Sequence, residues 1–255
     1  MKTLPSLDGL RAIAVTLVFL AHAGFGNRVP GGFGVTLFFV VSGYLITGLL
    51  LAEWHRHGCL DLPRFYARRF LRLLPALLAV VTIAVFLTLT GVLGGRVSAT
   101  GVAAALLHFS NYYFILGDFD GLPAGLGVLW SLAVEEHFYL LFPPAMAWVL
   151  RRQEKDRLVT WVALTCLFIL AWRLWLQQQG ASEAWLSMAT DTRADAILAG
   201  VLLALLTEPF TSKTRRHPPL LTASVLAGAV IVLVGTLLWR TAEFRFGWRY
   251  SIQAL

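Results

Sequence analysis

Charge is scarce in this sequence. Asp, Glu, Lys and Arg make up 14% of its 255 residues, whereas hydrophobic residues make up 58%. Soluble domains run nearer a quarter charged, so a water-exposed globule of this length is excluded. The length is better counted in membrane spans of about 20 residues each. Cysteine is almost missing as well. Cys59 lies in a basic stretch and Cys166 in an apolar run, with no CxxC and no Cys/His spacing. No metal site is expected from that pattern, and two thiols in different layers of a membrane protein are not expected to pair. Acidic residues are outnumbered, 14 against 21 basic ones, for a net charge of +7. A basic excess can signal nucleic acid. In a chain this apolar it follows instead from Lys and Arg collecting in cytoplasmic loops, so no nucleic acid partner is expected. Internal repeats and low-complexity segments are also lacking.

What is present is a series of apolar runs, at 7–25, 35–52, 75–93, 126–150, 158–176, 194–206 and 220–239. A Gly/Pro-rich turn at 26–34 separates the first two, and a polar, basic stretch at 53–72 follows the second. Lipid leaves only helices or closed barrels to satisfy the backbone. The expected fold is therefore all-α, a polytopic transmembrane helical bundle forming one integral-membrane domain over residues 1–255. Segment 102–116 is apolar but short, and His108, Ser110, Asn111, Tyr112 and Tyr113 make its second half polar. Charge decides how to count it. With the N-terminus inside, the Arg64–Arg72 stretch is cytoplasmic, as its charge demands. If 102–116 does not span fully, the loop with Arg151, Arg152, Lys155 and Arg157 also falls inside, as does the loop with Lys213, Arg215 and Arg216. Seven full spans plus a re-entrant or interfacial segment is the preferred count, with eight spans the alternative. A cleaved signal peptide is a rival reading of the first 26 residues, from Lys2 and Ala21-His22-Ala23, but Asp8 and Arg11 interrupt it.

The first span carries Asp8, Arg11 and His22. Arg11 and His22 are eleven residues apart, close to three whole helical turns, so they share a face about 16 Å apart along the axis. Asp8 precedes Arg11 by three and joins that face. With Arg11 at the cytoplasmic interface, His22 lies halfway or more across about 30 Å of hydrocarbon. Ionisable groups at that depth are costly and usually face a bundle interior or a wet cavity. The bland alternatives are an Arg11 that snorkels and pairs with Asp8, and a His22 satisfied by an interhelical hydrogen bond. The chemical alternative is a general base, since an imidazole can take a proton from a hydroxyl and return it near neutral pH.

A second run reads Leu129-Trp130-Ser131-Leu132-Ala133-Val134-Glu135-Glu136-His137-Phe138-Tyr139. Ser131, Glu135 and Tyr139 recur every four residues and share a face, while Glu136 points about 100° away. An interfacial patch anchored by Trp130 would explain the run without chemistry. Otherwise one carboxylate orients a histidine or binds a substrate hydroxyl. Arg69 and Arg72 sit three apart beside the membrane and can bind phosphate, because guanidinium forks match phosphate oxygens. The positive-inside bias produces the same arginines. Arg193 and Asp195 open another apolar run, where helix capping and loop charge are the plain explanation.

Taken together, these motifs resemble the acyltransferase-3 family of membrane acyltransferases. Leu7-Asp8-Gly9-Leu10-Arg11-Ala12-Ile13-Ala14 is similar to the family's opening signature, and Arg11 to His22 matches its arginine–histidine spacing. Phe38-Phe39-Val40-Val41-Ser42-Gly43-Tyr44-Leu45-Ile46 resembles its second-span motif. Arg69-x-x-Arg72, the Trp130–Tyr139 run ending at Pro143, and Arg193-Ala194-Asp195 follow in the expected order. The resemblance implies transfer of an acyl group, usually acetyl, from cytoplasmic acyl-CoA (acetyl-CoA) to a hydroxyl on an extracytoplasmic glycan or lipid-linked sugar. It implies no metal, and a home in the lipid bilayer of a bacterial cytoplasmic membrane. It makes His22 and Arg11 the essential pair, with Asp8 and Glu135 in support. Arg69, Arg72, Ser42, Trp130, Tyr139, Arg193 and Asp195 then become substrate contacts. The family usually carries about ten spans of about 20 residues each, so the seven or eight here imply a chain cut short. A proton-coupled transporter or flippase is the rival function, because intramembrane Asp8, Arg11, His22 and Glu135 would also serve a proton relay. Such transporters typically show internal repeats.

Overall fold

The computed structural model describes residues 5–117, 120–152, 154–210, 219–239 and 241–255. Lys213, Arg215 and Arg216 lie outside the described residues. The chain is an all-α membrane protein. Among the described residues there is no strand, and one isolated antiparallel bridge joins Gly95 to Pro123. Helices α1 (Pro5–Leu20), α2 (Gly31–His57), α3 (Leu62–Leu89), α4 (Ala99–Leu106), α5 (Ser110–Gly117) and α6 (Leu129–Arg151) come first. They are followed by α7 (Lys155–Gln178), α8 (Glu183–Met188), α9 (Thr190–Thr207), α10 (Pro219–Leu238), α11 (Ala242–Phe246) and α12 (Arg249–Ala254). By length and composition, Ser6–Phe25, Gly31–His57, Leu62–Leu89 and Asp156–Gln178 can each cross a membrane. Contacts group the chain into two compact units.

The first unit holds residues 1–58, 154–181 and 194–255. In it α1 and α2 form a hairpin, closed by a turn in which the Arg28 and Val29 N–H groups both donate to the Phe25 carbonyl. Glycine permits the close approach: a Cβ at Gly34 would stand 2.7 Å from the Ala14 carbonyl oxygen. Gly43 of α2 and Gly200 of α9 repeat the device. A Cβ on Gly43 would strike the Ile197 carbonyl, and one on Gly200 the Val40 carbonyl. Small residues that bring backbones together are how helices associate where lipid removes the hydrophobic drive. Helix α2 ends on Gly58 in the left-handed region (φ 65°), whose N–H caps the Trp54 carbonyl.

The second unit holds residues 59–153 and 182–193. Here the structure departs from the sequence reading. Pro75 does not open a span; it lies inside α3, which starts thirteen residues earlier at Leu62. The Asp61 side chain accepts from the Arg64 N–H at 3.0 Å and Pro63 stands in the first turn, a strong start signal. The basic residues expected in a loop are thus the first turns of a helix. Segment 102–116 is not one helix either. It divides into α4 and α5 at His108, whose φ of 61° puts a non-glycine residue in the left-handed region. Each half has eight residues and is about 12 Å long, too short to cross the hydrocarbon. The unit's core is Leu77, Val81 and Ala84 of α3 with Ala105, Phe114, Leu122 and Leu126.

Candidate active site

The first unit carries the polar file of the first span. Asp8 is exposed and Arg11 half-buried, and no ion pair joins them among the described residues. The Arg11 Nε is buried with no hydrogen-bond partner among the described groups. Past Leu20 the helix loosens into a wide turn, Ala21–Phe25, kinked inside at Ala23 and at Gly24, which takes φ 97°. His22 stands in that turn, exposed, and three residues from the end of the 6–25 span. Its Nδ1 lies 2.8 Å from the Val18 carbonyl oxygen, four residues back. A carbonyl oxygen can only accept, so Nδ1 carries the hydrogen, and in the neutral ring Nε2 has the lone pair. The neutral ring is therefore held as the tautomer that takes a proton at Nε2.

Ser42 is 1% exposed on α2, and its Oγ has no hydrogen-bond partner among the described residues. Asp195 of α9 is committed to a buried network. Its Oδ2 accepts from the Arg173 Nη2 at 3.0 Å and from the Ser251 hydroxyl, while the Arg173 Nε donates to the Gly247 carbonyl at 2.9 Å. Arg173 itself is fully buried. Sequence reasoning singled out Asp195 and missed Arg173, whose partners lie 22, 74 and 78 residues away.

The second unit separates the two arginines of the Arg-x-x-Arg motif. Arg69 turns inward: its Nε donates to both Glu136 carboxylate oxygens (2.8 and 3.1 Å), its Nη2 also donates to Glu136, and its guanidinium carbon lies 3.3 Å from the Tyr139 ring centre. The Tyr139 hydroxyl in turn donates to Glu135 at 2.7 Å. Glu135 and Tyr139 thus share a face, as their spacing predicts, and the adjacent carboxylates take different partners. Arg72 is exposed, and so are Arg68 and Arg64, four and eight residues before it. Those three form a cationic stripe along α3. Trp130 packs, half-buried, against the core of α3, α4 and α5. Arg193 is 1% exposed at the start of α9.

One polar cluster in this unit has no counterpart among the sequence candidates. His137 Nδ1 shares a 2.7 Å hydrogen bond with the Thr190 hydroxyl, and Asn111 Nδ2 donates to the same oxygen at 3.0 Å. Asp191 receives the Tyr112 hydroxyl and the Trp185 indole N–H at 3.4 and 3.3 Å. The Nε2 atoms of His108 and His137 and the Asn111 Oδ1 are buried with no hydrogen-bond partner among the described residues. Burial holds the His108 imidazole below its ordinary value; Glu136 pulls it back up and Arg69 pushes it further down. The cue was available, since segment 102–116 was noted for its polar second half, but nothing in the sequence paired it with residues 137 and 190. No group of three or more His, Cys, Asp or Glu among the described residues could hold a metal.

Comparison with known proteins adds to this geometry. The profile of a family described as an acyltransferase domain matches residues 4–255. The peptidoglycan O-acetyltransferase OatA of Listeria monocytogenes is 36% identical over 216 residues, 80% of this chain and 34% of that protein. The O-acetyltransferase OatA of Staphylococcus aureus is 36% identical over 220 residues, 83% of this chain and 36% of that protein. The chain thus spans about a third of the length of these relatives. No solved structure matches it.

Proposed function

The chain belongs to the acyltransferase-3 family, and from that premise we propose that it moves an acyl group, acetyl in the first instance, from acyl-CoA to a hydroxyl of a cell-envelope glycan or lipid-linked sugar. The Listeria relative is named a peptidoglycan O-acetyltransferase, which makes a peptidoglycan-like glycan the first acceptor to try. We read residues 1–255 as one integral-membrane acyltransferase domain in a bacterial cytoplasmic membrane, with its N-terminus inside.

The observation that carries this reading is the tautomer of His22. With Nδ1–H tied to Val18, Nε2 is the free base. It takes the proton from the acceptor hydroxyl as that oxygen attacks the thioester carbonyl. The tetrahedral intermediate collapses, the C–S bond breaks, and the imidazolium returns the proton to the departing CoA sulfur. No covalent enzyme intermediate is needed. Arg11 stands about 16 Å away along the helix, too far to touch the same hydroxyl, so its charge serves the donor's anionic portion. Asp8 sets the field around it. In the second unit the exposed Arg64, Arg68 and Arg72 can bind phosphate, because guanidinium forks match phosphate oxygens. Arg69 is better placed as a structural anchor, with Glu136 and Tyr139 as its partners and Glu135 behind them. Ser42 offers a buried hydroxyl to a substrate, and Trp130, Arg193 and Asp195 hold the helices that frame the substrates.

The test is His22→Ala in membranes supplied with labelled acetyl-CoA and a peptidoglycan-like acceptor. Incorporation should vanish while expression and insertion stay intact; retained incorporation sinks the assignment. Solute uptake by vesicles without incorporation would support the transporter reading instead.

A further inference from the structure

The first unit contains a cavity of about 540 Å³ that the transfer chemistry does not use. It is lined by Leu174, Gln177 and Gln178 at the end of α7, by Trp239 and Thr241 beyond α10, and by Glu243, Phe244 and Trp248 around α11. Three aromatic rings share it with two amides, a hydroxyl and a carboxylate. Trp239 and Phe244 stack, with ring centres 5.0 Å apart and planes within 18°. Trp248 is 48% exposed. The Gln177 amide donates to the Ala242 and Glu243 carbonyls at 3.3 and 3.2 Å, so the segment bearing Glu243 and Phe244 is pinned to α7. The Gln178, Thr241 and Glu243 side chains remain as polar edges.

That combination suits one ligand class. A sugar ring has apolar C–H faces, which pack on aromatic rings, and hydroxyls around its rim, which bond to amides and carboxylates. A lipid tail would have no use for the Gln, Thr and Glu groups, and a phosphate would be repelled by Glu243. The position fits as well. The C-terminal ends of α7 and α10 meet at the cavity, so both helices finish on the same side. Their N-terminal ends adjoin the basic stretches of sequence at 151–157 and 213–216, which the charge rule assigns to the inside. The cavity then opens outside, where a cell-envelope glycan is found. His22 also lies toward the outer end of its span.

We propose that this cavity is a glycan subsite, which holds a sugar unit of the acceptor while another is acylated. The proposal rests on the acyltransferase reading for its purpose, but sugar binding can be measured without it. Purified full-length chain in nanodiscs would be titrated with chitotetraose, a β-1,4-linked N-acetylglucosamine tetramer, and with maltotetraose, following tryptophan fluorescence. Saturable quenching by either sugar, weakened at least tenfold in Trp248→Ala and in Glu243→Gln, is the expected result. Binding of neither sugar, or equal binding by wild type and both variants, overturns the subsite. In the transfer assay the same variants should raise the acceptor KM about tenfold and leave the acetyl-CoA KM unchanged. Donor and acceptor KM rising together would instead mark a structural role and overturn it. Sugar binding in a wild-type protein with no transfer would uphold the subsite and fail the acyltransferase reading alone.

Discussion

Arg173 shows what a single residue can demand of a membrane fold. It is fully buried, and Asp195, Ser251 and the Gly247 carbonyl surround its guanidinium. Removing one member of a buried ion pair leaves the other charged and uncompensated, at roughly 3–5 kcal/mol. Arg173→Met and Asp195→Leu should therefore each sharply lower the thermal unfolding midpoint in detergent. The double variant should recover much of the loss, because an apolar pair leaves no stranded charge. Equal midpoints for the single variants and wild type would contradict the network. Asp195 was legible from sequence as a notable acid near a helix start. Arg173 was not, because an arginine in an apolar run announces its depth but not its partner. His22 was legible through its spacing from Arg11. Its tautomer was not, because that depends on one carbonyl a helical turn away.

At the level of elements, the crossings of α2 and α9 depend on two glycines. Adding a methyl group at Gly43 or Gly200 would force two backbones apart, and overpacking of this kind typically costs 1–3 kcal/mol. Gly43→Ala and Gly200→Ala should lower the yield of folded protein in membranes. Gly9→Ala, where an added Cβ meets nothing within 4 Å, should be neutral; equal yields for all three would remove the crossing as a constraint. Periodicity and hydropathy made the long helices legible, but the charges at 64–72 read as a loop and hid the Asp61–Pro63 start signal of α3. Pro75 misled because proline normally breaks a soluble helix, whereas in a membrane helix its lost bond is tolerated. The two-part form of 99–117 was half visible: its polar second half was plain, while the break at His108 needed the backbone.

For the molecule as a whole, the charge pattern and the paired ends of α7 and α10 are the basis of the proposed orientation, with the N-terminus inside. Cys59 is an exposed thiol just past α2, and on this topology it faces the cytoplasm. Gln178, at the other end of α7, faces outward. In sealed right-side-out vesicles a membrane-impermeant maleimide should label Gln178→Cys, in a background with Cys59 replaced by Ser, and should leave Cys59 of the natural sequence unlabelled until the vesicles are opened. The opposite pattern would invert the orientation and move the glycan subsite inside. Composition alone established the membrane class. The count of crossings came from loop charge, because an apolar run states its length but not its direction.

The bond between His22 and Val18 has an energetic consequence for the cell. A relay histidine receives a proton on one nitrogen and passes it on from the other. With Nδ1 committed to a backbone carbonyl, His22 has a single working edge. In the proposed reaction the proton borrowed from the sugar would leave by the way it came, onto the CoA sulfur. Turnover at this residue would then take up no proton from bulk water and release none: the hydrogen lost by the sugar hydroxyl is the one gained by the CoA thiol, and the transfer needs no separate proton supply.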